Sequence, residues 1–136
     1  MSQENSATKP QGNLLLRTIA MPADTNANGD IFGGWIMSQL DLAGGILAKE
    51  ISKGRIVTVA VSDIVFKQPV EVGDVVCCYG HCSRIGRTSM QMELEVWIKS
   101  YLDGDDIGVR HKVCQATFHY VAIDEAGKPR PVHPSS

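Results

Sequence analysis

The sequence predicts an α+β domain in which one long helix is wrapped by a curved antiparallel sheet of five strands. Three observations lead there. A single segment, 33–53, has helical periodicity. Five extended segments surround it in the chain, one before and four after. One helix cannot cover that many strands unless the sheet curls around it.

The helix lies within DIFGGWIMSQLDLAGGILAKEISKG, residues 30–54. Ile36, Leu40, Ala43, Leu47 and Ile51 recur at three- and four-residue steps, and Met37 and Ile46 widen that face. Asp30 is the expected N-cap and Gly54 the expected left-handed residue after the last turn, with Lys49 and Lys53 suiting the dipole. Two features are costly. Gly44 and Gly45 each lose about 1 kcal/mol relative to alanine in a helix interior, a loss accepted where the sheet must approach the helix backbone. Asp41 stands between two leucines, and its helical neighbours are Gly34, Met37, Ser38, Gly44, Gly45 and Ala48. Its carboxylate therefore points along a groove of mostly small side chains, unlike an acid on an ordinary solvated face.

In chain order, residues 1–12 are expected as a flexible tail, and Asn13 to Met21 as the first strand. PADTNANG, 22–29, is turn chemistry throughout. After Gly54 the pattern becomes extended. RIVTVAVSDIVFK, 55–67, is apolar on both faces, as for a strand covered on both sides. QPVEVGD, 68–74, is a connection, VVCCYGHCSR, 75–84, a strand, and Gly86 marks a hairpin turn. SMQMELEVWIKS then alternates, with Met90, Met92, Leu94, Val96 and Ile98 facing in and Gln91, Glu93, Glu95 and Lys99 facing out. YLDGDDIG, 101–108, is an acidic loop and 109–123 the last strand. The domain spans 13–124, and 125–136 is expected to be irregular. Short connections favour antiparallel neighbours joined largely by hairpins.

Composition narrows the function classes. At 136 residues, with 21% charged residues and a net charge of −2, the chain reads as one soluble domain without general affinity for nucleic acid. No apolar run reaches transmembrane length, so integral membrane association is not expected. Cys77, Cys78, Cys82 and Cys114 read as reduced sheet or core residues, consistent with the cytoplasm. Adjacent Cys77 and Cys78 point to opposite faces of a strand. Neither GxxxxGK[ST] nor GxGxxG is present, which removes the common nucleotide-binding loops.

The stretch MPADTNANGDIFGGWIMSQLDLAGG, 21–45, with support from 56–61, PVEVGDVVCCYG at 69–80 and GRTSMQMELEVW at 86–97, resembles the hotdog-fold acyl-CoA thioester hydrolases of the YciA type. The resemblance covers 13–132, nearly the whole domain. It implies a hotdog fold and hydrolysis of fatty or short-chain acyl-CoA to free acid and coenzyme A. It also implies a dimer with shared active sites, assembled as a trimer of dimers, and neither cofactor nor metal. Carried over by residue, Asp41 falls on the catalytic carboxylate. Gly33 and Gly34 fall at the helix start, where a backbone N–H polarises the thioester carbonyl. Asp30 falls where some relatives carry an active-site Asn, and Phe32 joins it and Gly33 on the substrate side. Gly86, Arg87 and Thr88 fall where the nucleotide end of coenzyme A lies.

The chemistry agrees with these residues. Thioester hydrolysis develops charge on the carbonyl oxygen, which a glycine-opened helix N-terminus stabilises. A carboxylate facing that carbon activates water or attacks directly, and the sequence leaves these two open. Two alternatives compete: a hotdog hydratase or dehydratase, and a non-catalytic acyl-CoA-binding protein. The first needs a helix-borne acid and His, and no His occurs between residues 22 and 80. The second calls for an additional regulatory domain, for which this chain has no room.

Overall fold

The computed structural model describes residues 9–99 and 110–133. Most of the N-terminal tail and the acidic loop 101–108 lie outside them. The elements are β1 (Asn13–Ile19), a 3-10 turn (Pro22–Asp24), α1 (Gly33–Ser52), β2 (Ile56–Phe66), β3 (Val75–Ile85), β4 (Ser89–Lys99) and β5 (Arg110–Ala122). The strands form one antiparallel sheet in the order β1-β3-β4-β5-β2. No helix among the described residues is long and apolar enough to cross a membrane.

Helix and sheet close one core. Ile36, Leu40 and Ala43 of α1 meet Met90, Met92, Leu94, Val96 and Ile98 of β4 and Ala116, Phe118 and Tyr120 of β5. The alternation expected of β4 is therefore real on its inner face. On its outer face it is not a solvated row. Glu95 is buried, accepting hydrogen bonds from Trp97 Nε1 at 2.8 Å and the Gln11 N–H at 3.1 Å, with Lys112 Nζ at 3.0 Å. Beside it Cys77, Tyr79 and Trp97 make a second small apolar cluster. Cys77 and Cys78 do separate, Cys78 into the main core, and all four cysteines are free thiols.

Strand order departs from a run of hairpins. The connection between β2 and β3 leads from one end of the sheet order to beyond β4 and β5. The short link suffices because the curled sheet brings its two ends together over the start of α1. Val70 plugs that mouth, fully buried, and its carbonyl accepts the Ile31 N–H at 3.0 Å. β2 is consequently an edge strand. Val57, Val59, Ile64, Val65 and Phe66 are exposed in the single chain, as are Leu42 and Ile46 of α1. The cover expected on both faces of this strand is absent within one copy.

Both expected caps of α1 are corrected. The N-cap position is Phe32, with no side-chain cap. Asp30 is held in the preceding loop instead, its N–H on Asn26 Oδ1 at 3.1 Å and its carbonyl accepting the Asn26 N–H at 2.7 Å. At the other end Lys53, not Gly54, takes the left-handed conformation (φ 56°). Gly54 is small for a different reason: the Arg130 guanidinium occupies the space of a side chain there. That guanidinium caps the helix, donating to the Ser52 carbonyl at 3.1 Å and to the Ile123 carbonyl at 3.1 Å. Among the described residues, the segment after β5 is without helix or strand but packed, and Val132 joins the core.

Candidate active site

The start of α1 is built by the loop before it. The Phe32 N–H donates to the Asp24 carbonyl at 3.0 Å, which aims the chain into the first turn. With no side-chain cap, the N–H groups of Gly33 and Gly34 have no acceptor among the described residues. Both glycines are exposed. Phe66 of β2 stacks its ring over Gly33, since a side-chain carbon there would stand 3.5 Å from the ring. Nothing lies within 4 Å of the corresponding position at Gly34, so its backbone is open to a ligand. Exposed Phe32 stands beside them as an apolar wall.

Asp41 lies seven residues further on, close to two turns, and so on the same side of the helix. It is exposed in the single chain. Its Oδ1 accepts a hydrogen bond from Thr58 Oγ1 at 2.6 Å and lies 3.2 Å from the Tyr120 hydroxyl. That hydroxyl also donates to the Asp41 carbonyl at 3.0 Å. Burial drives the Tyr120 phenol far above its ordinary range, and the neighbouring Asp41 carboxylate adds to this. Tyr120 therefore keeps its proton and acts as a donor. Oδ2 of Asp41 has no protein partner among the described residues.

Gly44 and Gly45 differ here. A side-chain carbon at Gly44 would overlap the Tyr120 hydroxyl and stand 2.9 Å from Leu94 Cδ1, whereas at Gly45 it would meet only Ile56 Cδ1 at an ordinary 3.8 Å. Close approach of the sheet accounts for Gly44 alone.

Gly86, Arg87 and Thr88 form the β3–β4 turn, away from the start of α1. The turn is tied down by Ala122 N–H on the Thr88 carbonyl at 2.9 Å and Val132 N–H on the Arg87 carbonyl at 2.8 Å. It still shares the sheet with Asp41's partners. Met90 pairs with Tyr120 and Tyr120 with Thr58, so the hairpin begins two strands, about 10 Å, from Thr58. The Arg87 side chain is exposed. The structure thus places Gly34 and Asp41 along one side of α1, with Phe32 and Gly33 at its start, Asp30 in the entry loop, and 86–88 across the sheet. Thr58, Tyr120 and Phe66 were not foreseen. In the sequence they are a β-branched and two aromatic residues in strands, where such residues are expected anyway. His119, between core residues Phe118 and Tyr120, turns to the outer face and sits 3.3 Å from Ser62 Oγ.

One helix enclosed by a curved five-stranded antiparallel sheet is the architecture of hotdog-fold thioesterases. The sequence profile of the thioesterase superfamily matches residues 28–102, and the chain belongs to that superfamily. It is 60% identical to the acyl-CoA thioester hydrolase YciA of Salmonella typhimurium, over 90% of this chain and 92% of the relative. Among solved structures it resembles a hexameric broad specificity acyl-coenzyme A thioesterase, at 55% identity and a TM-score of 0.87, over 94% of this chain and 86% of that one. It also resembles a hexameric hotdog fold thioesterase of Campylobacter jejuni, at 41% identity and a TM-score of 0.86, over 92% and 93%.

Proposed function

We propose that this chain is an acyl-CoA thioester hydrolase in which Asp41 activates water and the Gly34 N–H stabilises the oxyanion. The observation that carries the reading is the placement of a carboxylate with one free oxygen and an uncapped, glycine-opened helix start on the same side of α1. From Gly34 to Asp41 the helix rises about 10 Å. Within one helix that is too far for one carbonyl to touch both groups, but it accommodates the carbonyl and an intervening water. This spacing favours a general base over direct attack. Asp41 takes a proton from water as its oxygen bonds to the thioester carbon. The carbonyl oxygen becomes an oxyanion facing the free N–H. Collapse breaks the carbon–sulfur bond, the acid departs, and the coenzyme A thiolate recovers the proton from Asp41. Water, Asp41 and the helix start supply every group that these steps use.

Exposed Phe32 and Gly33, with Asp30 in the loop behind them, would border the acyl-thioester end, and Gly86, Arg87 and Thr88 the nucleotide end. A homo-oligomer completes the site. The apolar edge of β2 and exposed Leu42 and Ile46 call for a second copy, and a dimer with shared sites, repeated as a trimer of dimers, suits them. Four free thiols fit a reducing cytoplasm.

Release of free thiol from acyl-CoAs of graded chain length tests the activity, and Asp41→Asn tests the site. kcat is expected to fall at least ~100-fold. The melting temperature should stay near that of the parent, because an amide replaces a charge without changing shape. Near-normal kcat with a lowered melting temperature would make Asp41 a structural acid.

A further inference from the structure

We infer that Thr58 and Tyr120 are positioning residues for Asp41: their hydroxyls fix one carboxylate oxygen so that the other faces the reacting water. This rests on the assignment of Asp41 as the base and adds the groups that orient it. Three observations carry it. The first is the asymmetry of the carboxylate: Thr58 donates to Oδ1 at 2.6 Å, the Tyr120 hydroxyl is shared between Oδ1 at 3.2 Å and the Asp41 carbonyl at 3.0 Å, and neither reaches Oδ2. A carboxylate held on one oxygen has lost rotation about its last bond, and its second oxygen points in one direction.

The second is the strand geometry. Thr58 and Tyr120 are direct partners across β2 and β5, so one rung of the sheet presents two hydroxyls to the same helical residue. Just past Thr58 the register slips by one residue, with Ala60 opposite His119. This β-bulge lets Thr58 face the helix while Val61, three residues on, still packs against the core. A regular strand would put Thr58 and Val61 on opposite faces.

The third is cost. Thr58 is exposed, so water would satisfy its hydroxyl without Asp41. Tyr120 is fully buried, and its hydroxyl reaches the helix only because Gly44 leaves room. A glycine in mid-helix and a bulge in an edge strand each cost stability. Both serve to bring a hydroxyl to Asp41.

Thr58→Val keeps the β-branched shape and removes the donor. Thiol release from an acyl-CoA should show kcat lowered about 10-fold or more with KM unchanged, and Thr58→Ser should restore most of it. The decisive readout is the double variant. In the Asp41→Asn background, Thr58→Val should cause no further loss, because the group it orients is gone. Tyr120→Phe should behave in the same way, and it carries the test if Thr58→Val does not fold. Equal losses from Thr58→Val in both backgrounds would overturn the inference. So would kcat within twofold of the parent for both Thr58→Val and Tyr120→Phe while Asp41→Asn is inactive, and that result would leave the assignment of Asp41 intact. An active Asp41→Asn would remove both.

Discussion

Gly44 and Gly45 are neighbours in α1, both buried, yet they do different things. At Gly44 any side chain collides with a buried tyrosine and a buried leucine, neither of which has room to retreat. Overpacking of that kind costs about 1–3 kcal/mol, against a gain of about 1 kcal/mol from replacing a helical glycine by alanine. Gly44→Ala is expected to lower the melting temperature. Gly45→Ala meets only an ordinary contact and should raise it by roughly 3 °C, so the two melts compared directly separate the roles. Arg87 gives a second prediction at this scale. Its exposed guanidinium is suited to a phosphate far from the thioester, so Arg87→Ala should raise KM roughly 3–10-fold and leave kcat nearly unchanged. A large kcat loss at constant KM would move Arg87 to the reacting centre. Asp41 stands out in the sequence as a candidate because an acid between two leucines on a helix needs a reason. Thr58 and Tyr120 were not, since each already has a reason to be in a strand. Asp30 misled because its carboxylate is a common cap, whereas its backbone is committed to Asn26.

Among the elements, β4 shows where alternation informs and where it does not. It identified the inner residues correctly, because burial on one face has period two. It says which residues face out but not what they meet there, because a glutamate looks the same whether hydrated or bound by neighbours. Glu93 accepts Thr117 Oγ1 at 2.7 Å on one oxygen and Ser83 Oγ at 2.9 Å and Gln91 Nε2 at 3.1 Å on the other. Burial pushes its carboxyl up, but these hydrogen bonds prevail, with His81 adding to them, and hold it below its ordinary 4.5. A carboxyl lowered by folding contributes stability above its unfolded value and loses it as pH falls through the folded one. Glu93→Gln is therefore expected to melt below the parent near neutral pH, with the gap narrowing as the pH falls below the ordinary carboxyl value of 4.5. A gap that is constant with pH would mean that the glutamate contributes shape and not charge.

For the whole molecule, the number of elements and the wrap around α1 were readable, since five strands and one helix leave few ways to bury a core. The strand order was not. The links after β2 and after β3 are both short, yet one crosses the mouth of the curled sheet and the other is a hairpin. The difference lies in contacts distant in sequence, such as Ile31 with Val70. The two-sided apolarity of β2 is a demand for cover that one copy leaves unmet, and it predicts assembly. Light scattering should give a particle of at least dimer mass, and Val59→Lys on the exposed edge should weaken it toward the monomer. A parent protein that remains monomeric at micromolar concentration would remove the shared-site reading and leave the fold standing.

The pairing of β2 with β5 also sets a timetable for the nascent chain. Ile56 finds its partner in Ala122, and Phe66 in Cys114. The 43 residues 67–109 must emerge between those two strands. At about 5–20 residues per second, that leaves β2 without its neighbour for roughly 2–9 s on the ribosome. During that interval a strand rich in valine and isoleucine has both edges unpaired. Val132, ten residues beyond the end of β5, then completes the core. A ribosome that stalls or terminates before β5 releases a chain with an open, adhesive edge, so the synthesis of β5 decides between a folded subunit and a substrate for chaperones and proteases.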